Sequence, residues 1–304
     1  MGRGLVAAKD IKMGEQILID SVVISLDWNW KSQLTQGSIM TRKVPRSLKE
    51  QIQALPEEKA SQFHDLQSEV NIIFSERDLR TLRKENCLTE MKAFRSNRIE
   101  SEEGDLLFFV LSRINHSCAP NALNETIEDG NYEVRAIKDI SKGEEITIFY
   151  QFFDGYTYKK FGCNVKERMK EIKDRFGFDC KCSVCTGDLP DQEDIIKELI
   201  ELHGKLNPET AAREGMSGFV HTIDRFADLS QRLYIGSLED KMHPLTLMAN
   251  IAYRNKDAHR LEKAMKQIKK IAEDTKFKKS MKVYEEMMRQ FGLINVPWNK
   301  NYLE

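Results

Sequence analysis

The strongest chemical feature of the chain is a run of thiols, Cys180-Lys181-Cys182-Ser183-Val184-Cys185. Three thiolates at this spacing can wrap around one tetrahedral metal ion, and zinc suits such a donor set. Three ligands leave one position open. Zinc there is either catalytic, with a bound water, or structural, with a ligand from elsewhere in the chain. The next histidine downstream, His203, falls on the edge of a helical stripe, and a cysteine fourth ligand would be Cys87, Cys118 or Cys163. Six cysteines in 304 residues are too sparse for a disulfide framework, so a reducing compartment, cytoplasm or nucleus, is expected and metal binding is favoured over disulfides or inert thiols.

A second constellation, Arg113-Ile114-Asn115-His116-Ser117-Cys118-Ala119-Pro120-Asn121, follows the apolar run Leu106 to Leu111. Crowded Ser, Asn and Pro predict a tight, hydrogen-bonded loop after a strand or helix. Cys118 and His116 could form a thiol nucleophile, but no third group that would orient the histidine is visible. Taken alone, this histidine reads as structural and the loop identifies no function.

The elements that must carry these loops differ in periodicity. Residues 4–25 read as strands around a turn at Lys12-Met13-Gly14-Glu15. Residues 46–93 change to helical spacing. Ser47 and Glu50 suggest a capping box behind Pro45, and a second helix start follows Pro56, with Ala60, Phe63, Leu66 and Val70 as its stripe. Strands return over 106–150, with Asp129-Gly130 as a hairpin turn and Glu145 to Tyr150 as a last short strand. Residues 7–19 and 136–148 echo each other at Ala, Lys, Asp, Ile, Gly, Glu, Ile and Ile. Convergent turn chemistry and structural pseudo-symmetry explain this echo equally well.

Beyond about residue 188 the pattern is helical. Stripes run through Ile195, Ile196, Leu199, Ile200 and Leu202, then through Phe219, Ile223, Phe226, Leu229 and Leu233. Pro244 is expected to start a further helix through Leu245, Met248, Ile251 and Ala252. Stripes at 261–272 and 281–288 follow, and the methionines in them read as core packing.

Lys plus Arg numbers 47 and Asp plus Glu 48, a net charge of −1, so nucleic-acid or membrane affinity would need a local patch. The six-residue apolar run is far short of the ~20 a membrane-spanning helix needs. The amino terminus shows no apolar core of a secretory signal, and Val6 stands where a myristoylation motif wants Ser or Thr. Residues 254–282 hold eleven Lys or Arg against four Asp or Glu. An acidic partner could dock there, but a solvated helix face is the preferred reading, and direct nucleic-acid binding is not expected.

Four motifs occur in order: Gly2-Arg3-Gly4-Leu5, then the Arg113 to Asn121 loop, then Gly143-Glu144-Glu145-Ile146-Thr147-Ile148-Phe149-Tyr150, then the cysteine trio. Together they resemble the SET-domain protein-lysine methyltransferases. The helical insert, the Arg168 to Phe178 segment and the helical tail are most similar to the SMYD-like branch and to small fungal SET proteins. The resemblance implies an α+β chain: a β-rich SET core over 1–158 with a helical insert at about 46–93, a zinc-binding post-SET segment over 159–187, and an α-helical, TPR-like C-terminal domain over 188–304. It implies S-adenosylmethionine as cofactor and a lysine of a protein or peptide as substrate. By position, Gly2, Arg3, Asn97, Asn115, His116, Tyr150 and Phe178 match cofactor-binding residues, Phe178 being the one that packs on the adenine. Tyr150 matches the tyrosine at the methyl-transfer centre. Cys118 would join Cys180, Cys182 and Cys185 around one structural zinc ion.

The sequence departs from the family in three places. It begins at Met1-Gly2, without the residues that usually precede the first motif. It has no second Cys-His cluster, so the MYND zinc finger is absent. Phe176 stands where relatives often carry a tyrosine. The rival expectation is a non-catalytic, zinc-tied scaffold with a degenerate site and a peptide-docking tail.

Overall fold

The computed structural model describes residues 4–27, 43–66, 74–101, 104–127, 130–150, 165–188, 191–206, 208–232, 238–276 and 278–292. Nine short strands form three three-stranded sheets among the described residues. In the first, β1 (Leu5–Val6) pairs antiparallel with β9 (Glu145–Ile148), and β9 pairs parallel with β6 (Asn115–His116). The second orders β2 (Gln16–Asp20), β8 (Tyr132–Ala136) and β7 (Ala122–Thr126). The third orders β3 (Ile24–Asp27), β5 (Gly104–Leu107) and β4 (Ile99–Glu100). Gly130 has φ 71° at the expected hairpin, where a left-handed residue suits a tight reversal. Its neighbour Asp129 lies outside the described residues.

Both copies of the internal echo lie back to back. Ile11 and Ile140 exchange backbone hydrogen bonds at 2.8 Å in each direction. Ala7 N–H donates to Glu144 O at 2.9 Å, and Ala136 N–H donates to Glu15 O at 3.0 Å. Gly14 N–H donates to Ala136 O, and Gly143 N–H donates to Ala7 O, both at 2.8 Å. The side chains repeat the pattern: Asp139 accepts from Met13 N–H, and Asp10 accepts from Lys142 N–H. Glycine is needed in both turns, because φ is 78° at Gly14 and 86° at Gly143. The echo is therefore structural pseudo-symmetry.

The helical insert holds α1 (Lys43–Gln53), α2 (Glu57–His64), α3 (Glu76–Lys84) and α4 (Leu88–Asn97). Its core packs Leu48, Phe63, Leu82, Met91 and Phe94 against Ile24 and Leu107 of the third sheet. The expected capping box at Ser47 is not a helix start. α1 begins at Lys43, and Pro45 sits in its first turn, where a missing N–H costs little. The side-chain cap appears instead at Ser75, whose Oγ accepts from Asp78 N–H at 3.1 Å. Val70, placed on the second stripe, lies outside the described residues.

The tail holds α7 (Asp191–Lys205), α8 (Pro208–Arg232), α9 (Leu238–Arg254), α10 (Ala258–Thr275) and α11 (Lys278–Gln290), after α5 (Val165–Phe176) and the single turn α6 (Ser183–Thr186). Pro244 lies inside α9 rather than at its start. One lost N–H bond is tolerated there because Leu245, Met248, Ala249 and Ala252 are all buried. α8 changes direction at Gly215, where φ is 72°. Leu233, expected at the end of its stripe, lies outside the described residues. The methionines Met248, Met265 and Met287 are core residues, as their spacing suggested, and Met242 joins them. The tail also reaches the amino-terminal half: a Cβ on Gly14 would stand 2.5 Å from Asp274 O, near the end of α10. No described helix is long and apolar enough to cross a membrane.

Candidate functional site

The loop after β5 runs through a 3-10 turn at Leu111–Arg113 into β6, which lays Asn115 and His116 against Thr147 and Ile148 of β9. Buried Asn121 pins the far side of the loop. Its Nδ2 donates to Glu145 O at 2.8 Å and to Glu144 Oε1 at 3.0 Å, and its Oδ1 accepts from Thr147 N–H at 2.8 Å. This asparagine was visible in the motif but had no assigned role.

Between those anchors, Cys118 is carried onto the trio. The four sulfurs of Cys118, Cys180, Cys182 and Cys185 all lie within 4.8 Å of one another, and Cys118 Sγ is 3.6 Å from Cys185 Sγ. A tetrahedral ion with ~2.3 Å metal–sulfur bonds has sulfur–sulfur edges of about 3.8 Å, so the set fits one thiophilic cation. Of the other two candidates, Cys87 is buried in the insert core with its sulfur 3.5 Å from Pro45 O, and Cys163 lies outside the described residues. His203 faces Phe226, ring to ring at 6.0 Å. In the cluster, hydrogen bonds from the neighbouring thiols favour the Cys182 thiolate, whereas Cys118 is pushed far above its ordinary value by those same thiols and by burial. Cys185 is lowered to about 7, first by Cys118. A divalent ion would remove this mutual opposition and hold four thiolates at once.

His116 links the sulfurs to Tyr150. Its Nδ1 accepts from the Tyr150 backbone N–H at 3.1 Å, so the ring proton sits on Nε2, 3.4 Å from Cys118 Sγ. Burial lowers the imidazole to about 4, with the charge of Cys182 opposing and that of Arg168 adding to the shift. The ring therefore stays neutral near pH 7, a donor to sulfur and an acceptor from the backbone.

The Tyr150 hydroxyl donates to Ile114 O at 2.7 Å. Burial and then Glu145 raise the phenol above its ordinary value, so it keeps its proton. Its ring meets Phe176 edge-on at 5.0 Å and Phe178 at 6.4 Å, and His116 contacts Phe178 at 6.1 Å. Tyr150, His116, Phe176 and Phe178 thus come together from three separate segments.

The remaining predicted residues fall out differently. Asn115 Nδ2 donates to Glu145 Oε1 at 2.7 Å, and a Cβ on Gly4 would lie 2.6 Å from that oxygen and 2.7 Å from that nitrogen. Only glycine lets the first motif approach Asn115 so closely. Gly2 and Arg3 themselves lie outside the described residues. Asn97 ends α4 with its side chain donating to Ala93 O at 2.8 Å, and its carbonyl accepts from Ser112 Oγ at 2.7 Å. It is tied to the loop through Ser112.

Residues 2–151 match the family model described as the SET domain. The chain carries a SET domain. This SET chain is 36% identical over 92 residues to N-lysine methyltransferase SMYD2-B of Danio rerio, an alignment covering 29% of this chain and 19% of that protein. It is 33% identical over 117 residues to histone-lysine N-methyltransferase set5 of Schizosaccharomyces pombe, covering 37% and 32%. The solved structure of the SET domain of LSMT bound to lysine and AdoHcy aligns over 99% of this chain and 88% of that one, at 11% identity and a TM-score of 0.36. Across five curated relatives the matched segment spans between 16% and 25% of their length.

Proposed function

We propose that this SET chain is a protein-lysine N-methyltransferase that uses S-adenosylmethionine and is closed by one structural zinc ion. The observation that carries the reading is the setting of Tyr150. A phenol kept protonated by burial donates to Ile114 O inside a ring of His116, Phe176 and Phe178. The SET match and the lysine methyltransferases among the relatives support it.

When bound, S-adenosylmethionine supplies an activated methyl group for in-line displacement by an amine. The chain's own residues provide positioning. Gly2, Arg3, Asn97, Asn115 and His116 would hold the cofactor, and Phe178 would cover its adenine. A free lysine, with a pKa of ~10.4, is neutral in about one part in 2,500 at pH 7. Exclusion of water by Phe176, Phe178 and Tyr150 would favour the neutral amine. The Tyr150 oxygen, its proton committed to Ile114, can accept from the amine and orient its lone pair. Cys118, Cys180, Cys182 and Cys185 would hold zinc with four thiolates, so the ion is structural and has no open position. The division into a core over 1–158, a post-SET segment over 159–187 and a TPR-like tail over 188–304 belongs to the same proposal, as does action in cytoplasm or nucleus.

The test is transfer of a tritiated methyl group to a protein extract by wild type and Tyr150→Phe. A loss of about 100-fold or more is expected for the variant, the scale of removing one preorganised polar group. Equal incorporation by the two would remove Tyr150 from its role. Calorimetry with S-adenosylmethionine separates the enzyme from a scaffold, since a scaffold with a degenerate site would show no binding heat.

A further inference from the structure

Arg168 is fully buried, at 0% exposure, and no hydrogen-bond acceptor among the described residues reaches Nε or either terminal nitrogen of its guanidinium. A buried cation without a partner is costly enough that it marks a missing anion. The helix shows which core Arg168 faces. Arg168 lies three residues after Val165 and four before Ile172 on α5, and both neighbours pack on the core that holds Cys118, Cys180 and Cys185. His116 presents Nε2 to Cys118 Sγ at 3.4 Å in the same core. At the start of the helix, Glu193 accepts from the Val165 N–H at 2.6 Å.

We infer that Arg168 is the buried counter-ion of the four-cysteine centre. The inference rests on the metal reading above. Four thiolates around one divalent cation keep two excess negative charges in an apolar core. His116, neutral, supplies an N–H to one sulfur but no charge. A guanidinium, always protonated and more weakly hydrated than an ammonium, can offset that excess through its charge. The same guanidinium is a burden when the metal is absent, so Arg168 couples folding of α5 to loading of the centre.

The experiment uses full-length protein, wild type, Arg168→Met and Arg168→Lys, each prepared metal-free and zinc-loaded. Zinc affinity is read by competition with a chromogenic chelator and thermal midpoint by calorimetry. Arg168→Met should bind zinc about 10–100-fold more weakly, and Arg168→Lys should recover much of the loss. The midpoints should cross: Arg168→Met falls below wild type when loaded and equals or exceeds it when stripped. A guanidinium stem that merely fills space would move both forms alike and leave zinc affinity untouched, which would overturn the inference. So would loss of S-adenosylmethionine binding at unchanged zinc affinity, which would make the cofactor the anion's source. Wild type that takes up no divalent metal would overturn the metal reading together with this one, whereas equal uptake by wild type and Arg168→Met would overturn this one alone.

Discussion

The chain closes on itself over long sequence distances in two places, by different physics. At residues 7–15 and 136–144, two similar turns bind each other through peptide groups. That closure depends on nothing outside the chain. At Cys118 and 180–185, four sulfurs converge whose ionisations oppose one another, an opposition that a bound cation would relieve. The first closure is intrinsic, and the second, on the proposed metal reading, is conditional on a ligand. Tyr150 lies two residues beyond β9, which leaves the intrinsic closure, and His116 ties its backbone to the conditional one. The candidate site therefore sits where both must hold.

Stripping the metal should break that parity most strongly. Structural zinc contributes roughly 10–16 kcal/mol of apparent binding energy near neutral pH, comparable to a whole domain's stability of ~5–15 kcal/mol. Chelation, or Cys118→Ser, should abolish hydrogen-exchange protection over 165–188 while the amides of Ile11, Gly14, Ile140 and Gly143 stay protected. Simultaneous loss at both places would show that they are one closure. Next in size is Asn121→Ala, which strands the Thr147 N–H and the Glu145 carbonyl between the two regions. About 2–3 kcal/mol of destabilisation is expected by denaturant unfolding.

The paired glycines offer a finer comparison. Gly143→Ala should cost about 1–2 kcal/mol, the price of a side chain at positive φ. Gly14→Ala should cost more, because its Cβ would also collide with Asp274 O, whereas nothing lies within 4 Å of the Gly143 position. Equal losses would show that the tail is not seated on the first turn. The smallest effect is at Asp139, whose carboxyl is held below its ordinary value first by Lys12 and then by the Met13 N–H. A lowered carboxyl stabilises above its unfolded pKa of ~3.9 and loses that contribution as pH falls through the folded value. Asp139→Asn should therefore lower the thermal midpoint slightly at pH 6, and the difference should vanish as pH is taken below about 4. Both side chains are exposed, so 1 M salt should shrink it too.

Much of this was legible in the residues. The spacing of Cys180, Cys182 and Cys185 announces a metal set, alternation and turn glycines announce the strands, and apolar stripes announce the tail helices. Helix starts were less legible. Ser47 looked like a cap and Pro244 like a beginning, because local preference ranks them so, but burial of Val44 and Leu48 in one helix and of Leu245 and Met248 in the other outweighed it. Arg168 carried one available hint, a charge on the apolar stripe between Val165 and Ile172, and periodicity alone cannot say that such a side chain is wholly buried.

By itself the sequence determined the thiol trio, the order of the four motifs, the turns and the α+β character, since each rests on contacts between near neighbours in the chain. Only the tertiary structure decided that Cys118 rather than Cys87 meets the trio. It also decided which nitrogen of His116 carries the proton, that the two echoing turns clasp each other, and that the Arg168 guanidinium is wholly buried. These depend on groups tens of residues apart meeting within a few ångströms, and no local preference encodes a distance of that kind.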